Sequence, residues 1–224
     1  MLVKKVKLTI RTLGIVGFLL IAQNSWSQTS LGLRFATAIT PNRTLQTSDS
    51  SDVDPKGAGL RFLLGFDVDF VLSTNYTFNT GLHYAPKRVS VLISPENGVD
   101  PSPQIQGKEE YRLQYIQIPL TLKMYTSEIG EGKRLFFQPG FVLEYLVFSE
   151  PLEDEYTLVE EFSSFDISFN FGVHLEYSIS STVVTTGLSY YRGLINSVQT
   201  VNPLFGDDLT IRNDMIAISF GLRF

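Results

Sequence analysis

Alternation with a period of two runs through eight long stretches of this chain, and it leaves little but a sheet for them to form. In Leu60–Phe70, Leu60, Phe62, Leu64, Phe66, Val68 and Phe70 share one parity, while Arg61, Gly65, Asp67 and Asp69 share the other. Successive side chains of a strand point to opposite faces, so these two sets separate onto two surfaces. Phe165–Tyr177 and Ile216–Phe224 repeat the pattern. The stretches fall at about 30–39, 58–71, 76–91, 110–125, 134–148, 164–177, 182–195 and 210–224. Most are ten to sixteen residues long. Ordinary strands average roughly 5–6 residues, and a bilayer-crossing strand needs about 9–11. The expected fold class is therefore all-β, an eight-stranded antiparallel transmembrane β-barrel.

The connections alternate in length. Leu72–Asn75, Ser178–Ser181 and a modest stretch near Thr126–Lys133 are short, whereas 40–57, 92–109, 149–163 and 196–209 are long and polar. Short turns at one rim and long loops at the other match an outer-membrane barrel, with both termini at the short-turn, periplasmic rim. Two further features agree. The polar parity mixes glycine with Arg34, His83, Gln117, Lys123, Gln138, Glu144, His174 and Arg223, which suits a packed lumen better than a watered surface. Phe70, Tyr76, Tyr125, Phe136, Phe137, Tyr177 and Phe224 gather near the short-turn rim, where an interfacial girdle is expected.

The N-terminus reads as an address. Lys4, Lys5, Lys7 and Arg11 precede the apolar stretch Leu13–Ala22, and Ser25 and Ser27 stand at −3 and −1 of a cut before Gln28. Residues 1–27 are read as a signal peptide and 28–224 as the barrel domain. Removing the leader, with its four basic residues, leaves 14 basic and 23 acidic residues. Such an acidic chain is poorly suited to nucleic acid. The absence of cysteine excludes disulfides, thiolate metal sites and a cysteine nucleophile. No motif calls for a cofactor.

A short repeat accompanies the strands: Gly32-Leu33-Arg34-Phe35, Gly59-Leu60-Arg61-Phe62 and Gly221-Leu222-Arg223-Phe224, with looser copies at Gly81 and Gly187. An eight-stranded barrel is just wide enough to be filled by side chains, so inward glycines make room for long neighbours. The strand Tyr115-Ile116-Gln117-Ile118-Pro119-Leu120-Thr121-Leu122-Lys123 resembles the tyrosine–x–x–isoleucine–proline–leucine–x–leucine–lysine strand of the PorT-like outer-membrane β-barrel family of Bacteroidota-type bacteria. The resemblance covers the mature chain, and Tyr115, Ile118, Pro119, Leu120 and Lys123 carry it. It implies an outer-membrane location, with membrane lipid and the barrel-assembly machinery as partners, and Phe224 as the residue that machinery reads. It also implies a link to other envelope or secretion proteins, and a bulge or bend at mid-strand Pro119, which lacks a ladder donor.

Arg34, Arg223, Asp67 and Asp69 cluster near the periplasmic rim by residue count, on strands that become neighbours when the barrel closes. With Arg61, Glu144 and Glu176 on the same parity they form a candidate lumen ion-pair network. The planar fork of arginine suits such pairing. His83 and His174 lie on non-adjacent strands and read as satisfied lumen residues rather than metal ligands. No serine is forced close to His174. The acids Glu150, Glu153, Asp154, Glu155, Glu160 and Glu161 read as a solvated loop. The leading expectation is a non-enzymatic membrane module with an occluded lumen, presenting loops or serving in an envelope or secretion assembly. Three alternatives are a narrow solute pore, a soluble lipocalin-like periplasmic binding barrel and a rim enzyme acting on lipid.

Overall fold

Phenylalanine, isoleucine, leucine and valine on one parity, glycine and charge on the other, produce strands whose two faces belong to different media. The computed structural model describes residues 29–46, 51–55, 58–95, 107–152, 158–202 and 209–224. The leader, the Ser27/Gln28 cut site and Glu153–Glu155 of the acidic loop lie outside the described residues. The strands in chain order are β1 (Thr29–Gln46), β2 (Ser51–Pro55), β3 (Ala58–Ser73), β4 (Tyr76–Pro95), β5 (Gly107–Gly130), β6 (Lys133–Pro151), β7 (Val159–Phe162), β8 (Phe165–Ile179), β9 (Thr182–Gly193), β10 (Val198–Val201) and β11 (Leu209–Arg223).

The eight long strands, β1, β3, β4, β5, β6, β8, β9 and β11, each pair antiparallel with the next, and β1 pairs with β11 to close the barrel. The seam extends to the last residue, whose amide donates to the Leu31 carbonyl at 2.9 Å. Short turns join β3 to β4, β5 to β6 and β8 to β9 at one rim. Gly132, at φ 64°, supplies the left-handed residue in the second of these. Strands β1, β4, β5 and β6 outrun the expected stretches at the long-loop rim, while β9 stops two residues short. There β2 adds to the end of β4, and β7 and β10 form a separate two-stranded ribbon. These three short strands are not foreseen by the periodicity.

The apolar parity faces out. Leu31, Leu60, Phe66 and Ile218 are each more than 60% exposed, while Asp69, Gln117, Glu144 and Glu176 are almost fully buried. This is the reverse of a soluble ligand-binding barrel, which would keep its apolar parity inside. Two details of the expected architecture are corrected. Tyr125 and Phe136 are buried in the lumen, because they share parity with Lys123 and Gln138, and only the remaining aromatics can belong to a girdle. Pro119 causes no bulge. Asn79↔Thr121 and His83↔Gln117 keep one register offset across it, and Pro119 pairs in sequence with Val142 of β6. The register shifts on this strand lie instead between Gln114 and Tyr115 and again between Tyr125 and Gly130.

Candidate functional site

The lumen is the candidate site, and it is built in layers from the inward parity. Glycines open the space for the longest side chains. Arg34 lies directly opposite Gly65 on one side and Gly221 on the other. A Cβ on Gly65 would sit 2.2 Å from the His83 ring, and one on Gly187 2.3 Å from the His174 ring.

The layer at the short-turn rim is ionic. Arg34 Nε donates to Asp67 Oδ2 at 2.8 Å, and His83 Nε2 lies 3.0 Å from Asp67 Oδ1. Asp69 Oδ2 accepts from Lys123 Nζ at 2.6 Å and from Arg223 Nη1 at 3.1 Å, while Asn79 donates to its other oxygen at 2.7 Å. Glu176 receives Arg223 at 3.1 Å, Arg134 at 3.0 Å and the Tyr125 hydroxyl at 2.9 Å. Four basic side chains thus face three carboxylates, drawn from β1, β3, β5, β6, β8 and β11, with β4 supplying His83 and Asn79. Gln138 extends the layer through Asn79 and Thr121 at 2.9 and 2.8 Å. A cavity of about 10 Å³ beside Asp67, Asp69, Lys123 and Arg223 has the space of one water.

Above this layer the inward residues are small or apolar: Ala36, Ala38, Leu63, Ala85, Val142, Tyr191, Met215 and Ala217 pack together. A second polar layer follows. Lys87 Nζ reaches Glu144 Oε2 at 2.5 Å and lies 4.9 Å from the Tyr115 ring centre. Ser168 donates to Glu144 at 2.6 Å. Asp166 stands directly opposite Glu144 and accepts from Ser197 at 3.2 Å. Glu144 therefore belongs to this layer and not to the Arg34 cluster. Lys87, absent from the sequence-stated network, shares the inward parity of His83 and Ala85, which is the signal that identifies it.

At the mouth, the ribbon β7–β10 folds back over the open end. Leu158, Val159, Phe162 and Val198 pack on Val89, Val91, Tyr111, Leu113, Tyr115, Leu209 and Ile211. Glu109 and Tyr111 fasten it: the Leu158 amide donates to Glu109 at 2.7 Å and the Val159 amide to the Tyr111 hydroxyl at 2.9 Å. Tyr111 in turn donates to Glu109 and meets Phe162 edge to face at 5.1 Å.

The strand 115–123 spans the layers. Tyr115 and Lys123 share the inward parity and serve the upper and lower polar layers, while Ile118 and Leu120 are exposed on the outer face. Phe224 is 66% exposed at the short-turn rim. Arg61 does not join any layer. Its guanidinium donates to the Leu60 carbonyl at 2.8 Å, and its electrostatic neighbours are Arg88 and Arg112. The β3–β4 register ends at Leu64↔Tyr84, so Arg61, still paired opposite Ala38 of β1, has no partner on β4 at the long-loop rim. Ser189 does lie close to His174, at 3.2 Å, a neighbour the sequence did not disclose. The ring stacks on Phe136 at 4.9 Å, and no carboxylate within hydrogen-bond reach of His174 completes a triad among the described residues.

A family model described as an outer membrane protein beta-barrel domain matches residues 21–199. No curated protein matches the chain in sequence. Among solved structures, Neisserial surface protein A aligns at 11% identity over 87% of this chain and 97% of its own, with a TM-score of 0.47. The N-terminal barrel domain of Pseudomonas aeruginosa OprF aligns at 10% identity over 85% and 97%, with a TM-score of 0.36. The attachment invasion locus protein of Yersinia pestis aligns at 12% identity over 88% and 99%, with a TM-score of 0.33.

Proposed function

The chain belongs to the outer membrane protein β-barrel domain family, and from that premise we propose that it is a non-enzymatic, closed barrel that works through its surfaces. It presents the long loops outward, or serves as a fixed component of a larger envelope or secretion assembly. One observation carries this reading: the lumen is filled along its length, by ion pairs, then alanines and Met215, then Lys87 with Glu144, then the apolar cap. An eight-stranded barrel leaves no aqueous channel unless its side chains withdraw, and each layer holds its side chains by contacts that would have to break. The strand Tyr115–Lys123 supports placement in the PorT-like branch, because its two inward ends are both used in the packing. The exposed Phe224, hydrogen-bonded at the closing seam, supports its role as the residue the assembly machinery reads. The His174–Ser189 contact, lacking an acid and buried in the lumen, supports a packing role over catalysis.

The test has two steps. Membrane fractionation with gels of unheated and boiled samples should recover the chain in the outer membrane with a heat-dependent shift in migration. Purified barrel in a planar bilayer should then show no unitary conductance. Steady solute-sized openings would sink the closed-barrel reading, and a soluble fraction with no shift would sink the membrane assignment. Deletion of residues 158–202 is too disruptive to be informative, so partner capture uses the intact chain with the outer loops tagged.

A further inference from the structure

On the outer face of the barrel, at the long-loop rim, the register brings like charges together. Arg43 of β1 lies directly opposite Arg212 of β11, and Arg88 of β4 directly opposite Arg112 of β5. Like charges directly opposed on one face of a sheet destabilise it, so both pairs call for a counter-charge. Arg192 of β9 lies one strand beyond the first pair, opposite Asp214. Arg61 of β3 stands between the two pairs at the same rim, but on the inward parity, opposite Ala38. Of the six consecutive strands from β9 through β11, β1, β3 and β4 to β5, all but β3 thus bring one outward arginine to this rim.

Among the described residues, carboxylates do not neutralise the belt. Asp214 takes Arg43 at 2.7 and 2.9 Å, Glu110 takes Arg88 and Lys108, and Glu150 takes Arg112 loosely at 3.5 Å with both side chains about half exposed. On the outward parity, six described cations face three described carboxylates. Arg61, Arg192 and Arg212 have no carboxylate partner among the described residues. The Nε atoms of Arg88 and Arg212, one from each opposed pair, are buried without a hydrogen-bond acceptor. Unmade bonds of buried charged donors are costly.

The depth of the belt identifies what meets it. On the same outward parity, Ile39 stands below Arg43, Ile216 below Arg212, Tyr190 below Arg192, Tyr84 below Arg88 and Ile116 below Arg112. Most of these are more than a third exposed and belong to the apolar band. The arginines follow two to four residues further on, roughly 7–13 Å along a strand. That is the level at which acyl chains give way to headgroups. Guanidinium groups pair two oxygens of a phosphate at once.

We propose that this arginine belt binds the phosphate groups of outer-leaflet lipid headgroups, so that the barrel carries a collar of phosphorylated lipid held by β9, β11, β1, β4 and β5 and none along β6 and β8. The inference rests on the membrane reading above, and its test separates the two. Barrel is first reconstituted in phosphatidylcholine nanodiscs; a chain that does not insert there overturns both. Inserted barrel is then exposed to a bis-phosphorylated disaccharide lipid or to the same lipid with its phosphates removed, and retained lipid is counted by native mass spectrometry. The phosphorylated form should be retained at least tenfold more strongly, with the difference falling as salt rises. The triple variant Arg88→Gln, Arg112→Gln, Arg212→Gln should lose that preference while remaining inserted in phosphatidylcholine, because it relieves the opposed charges. Equal retention of the two lipids by the natural chain, or an undiminished preference in a folded variant, overturns the proposal. So does full displacement of the lipid by millimolar inorganic phosphate, which would make this a site for a soluble anion. If the variant does not fold, the comparison of the two lipids on the natural chain still decides.

Discussion

The two ends of the lumen are sealed by opposite chemistries. At the short-turn end the barrel closes with charge: Asp67, Asp69 and Glu176 each hold at least two partners across strands. At the mouth it closes with apolar residues from loops that return to the axis, Leu158, Val159, Phe162 and Val198. The difference follows from what each end has to work with. Where the ladder is continuous and the turns are short, only side chains of the strands themselves can reach the axis, and long polar ones fit between glycines. Where the loops are long, the chain can supply a whole ribbon, and apolar burial does not require the exact pairing that a buried charge requires. The ionic end should therefore fail steeply when one group is lost, and the apolar end gradually.

The largest expected effect is at Asp69. Asp69→Ala leaves Lys123 and Arg223 without their shared carboxylate, both with little exposure. Breaking a buried pair from one side costs about 3–5 kcal/mol, to be read as a lower urea midpoint and an earlier heat-dependent gel shift. Asp67→Ala, Asp69→Ala together should cost more, and bilayer conductance should stay at zero because the cap still closes the mouth. If the double variant is equally stable and conducts no differently, the ionic layer is not what closes this end. If it conducts, the cap is the leakier seal and the comparison reverses.

How much of this was legible beforehand varies along the strands. All eight long strands, their pairing and the short-turn rim follow from alternation, since parity alone separates Leu60–Phe70 into two faces. Arg34, Asp67, Asp69, Glu176 and Arg223 meet because the strands carrying them close near one rim. Arg61 shares their parity but misses the lumen, because parity says which face a residue takes and not how far the ladder runs; here the β3–β4 register stops at Leu64. Lys87 and the inward turn of Tyr125 and Phe136 were within reach of the same parity count, obscured by the habit of reading rim aromatics as lipid-facing. The ribbon β7–β10 was not legible. Each strand has only four residues, and their pairing depends on loops finding each other over the barrel mouth. The opposed arginines also needed the register, since 43 and 212, or 88 and 112, become partners only once the strands are aligned.

A smaller effect is expected at the cap. Leu158 is almost fully buried. Leu158→Ala removes apolar contact and leaves a space that a loop can partly close, so the cost should lie near the low end for such changes, about 2–3 kcal/mol. Its signature should be local. Added protease should cut between 152 and 165 faster, while the folded gel band and the urea midpoint of the barrel change little. Equal loss of barrel stability would show that the cap and the strands unfold as one unit, which would remove the contrast between the two ends.

The smallest effect concerns Tyr111, which stands past the apolar band, at the base of the cap. Burial, and then its bond to Glu109, pushes its hydroxyl well above the ordinary tyrosine range. Free tyrosine ionises near pH ~10. A group whose folded form keeps its proton to higher pH contributes stability that is complete below the unfolded value and is lost as pH rises beyond it. Cap docking should therefore be flat through neutral pH and weaken above about pH 10, seen as faster cleavage of the 152–165 loop in an alkali-tolerant protease assay. Tyr111→Phe removes the bonds to Glu109 and Val159. It should loosen the cap by about 1 kcal/mol at neutral pH and abolish the alkaline weakening. An alkaline transition that survives in the phenylalanine variant would assign it to another group, and one accompanied by loss of the folded band would place it in the barrel rather than at its mouth.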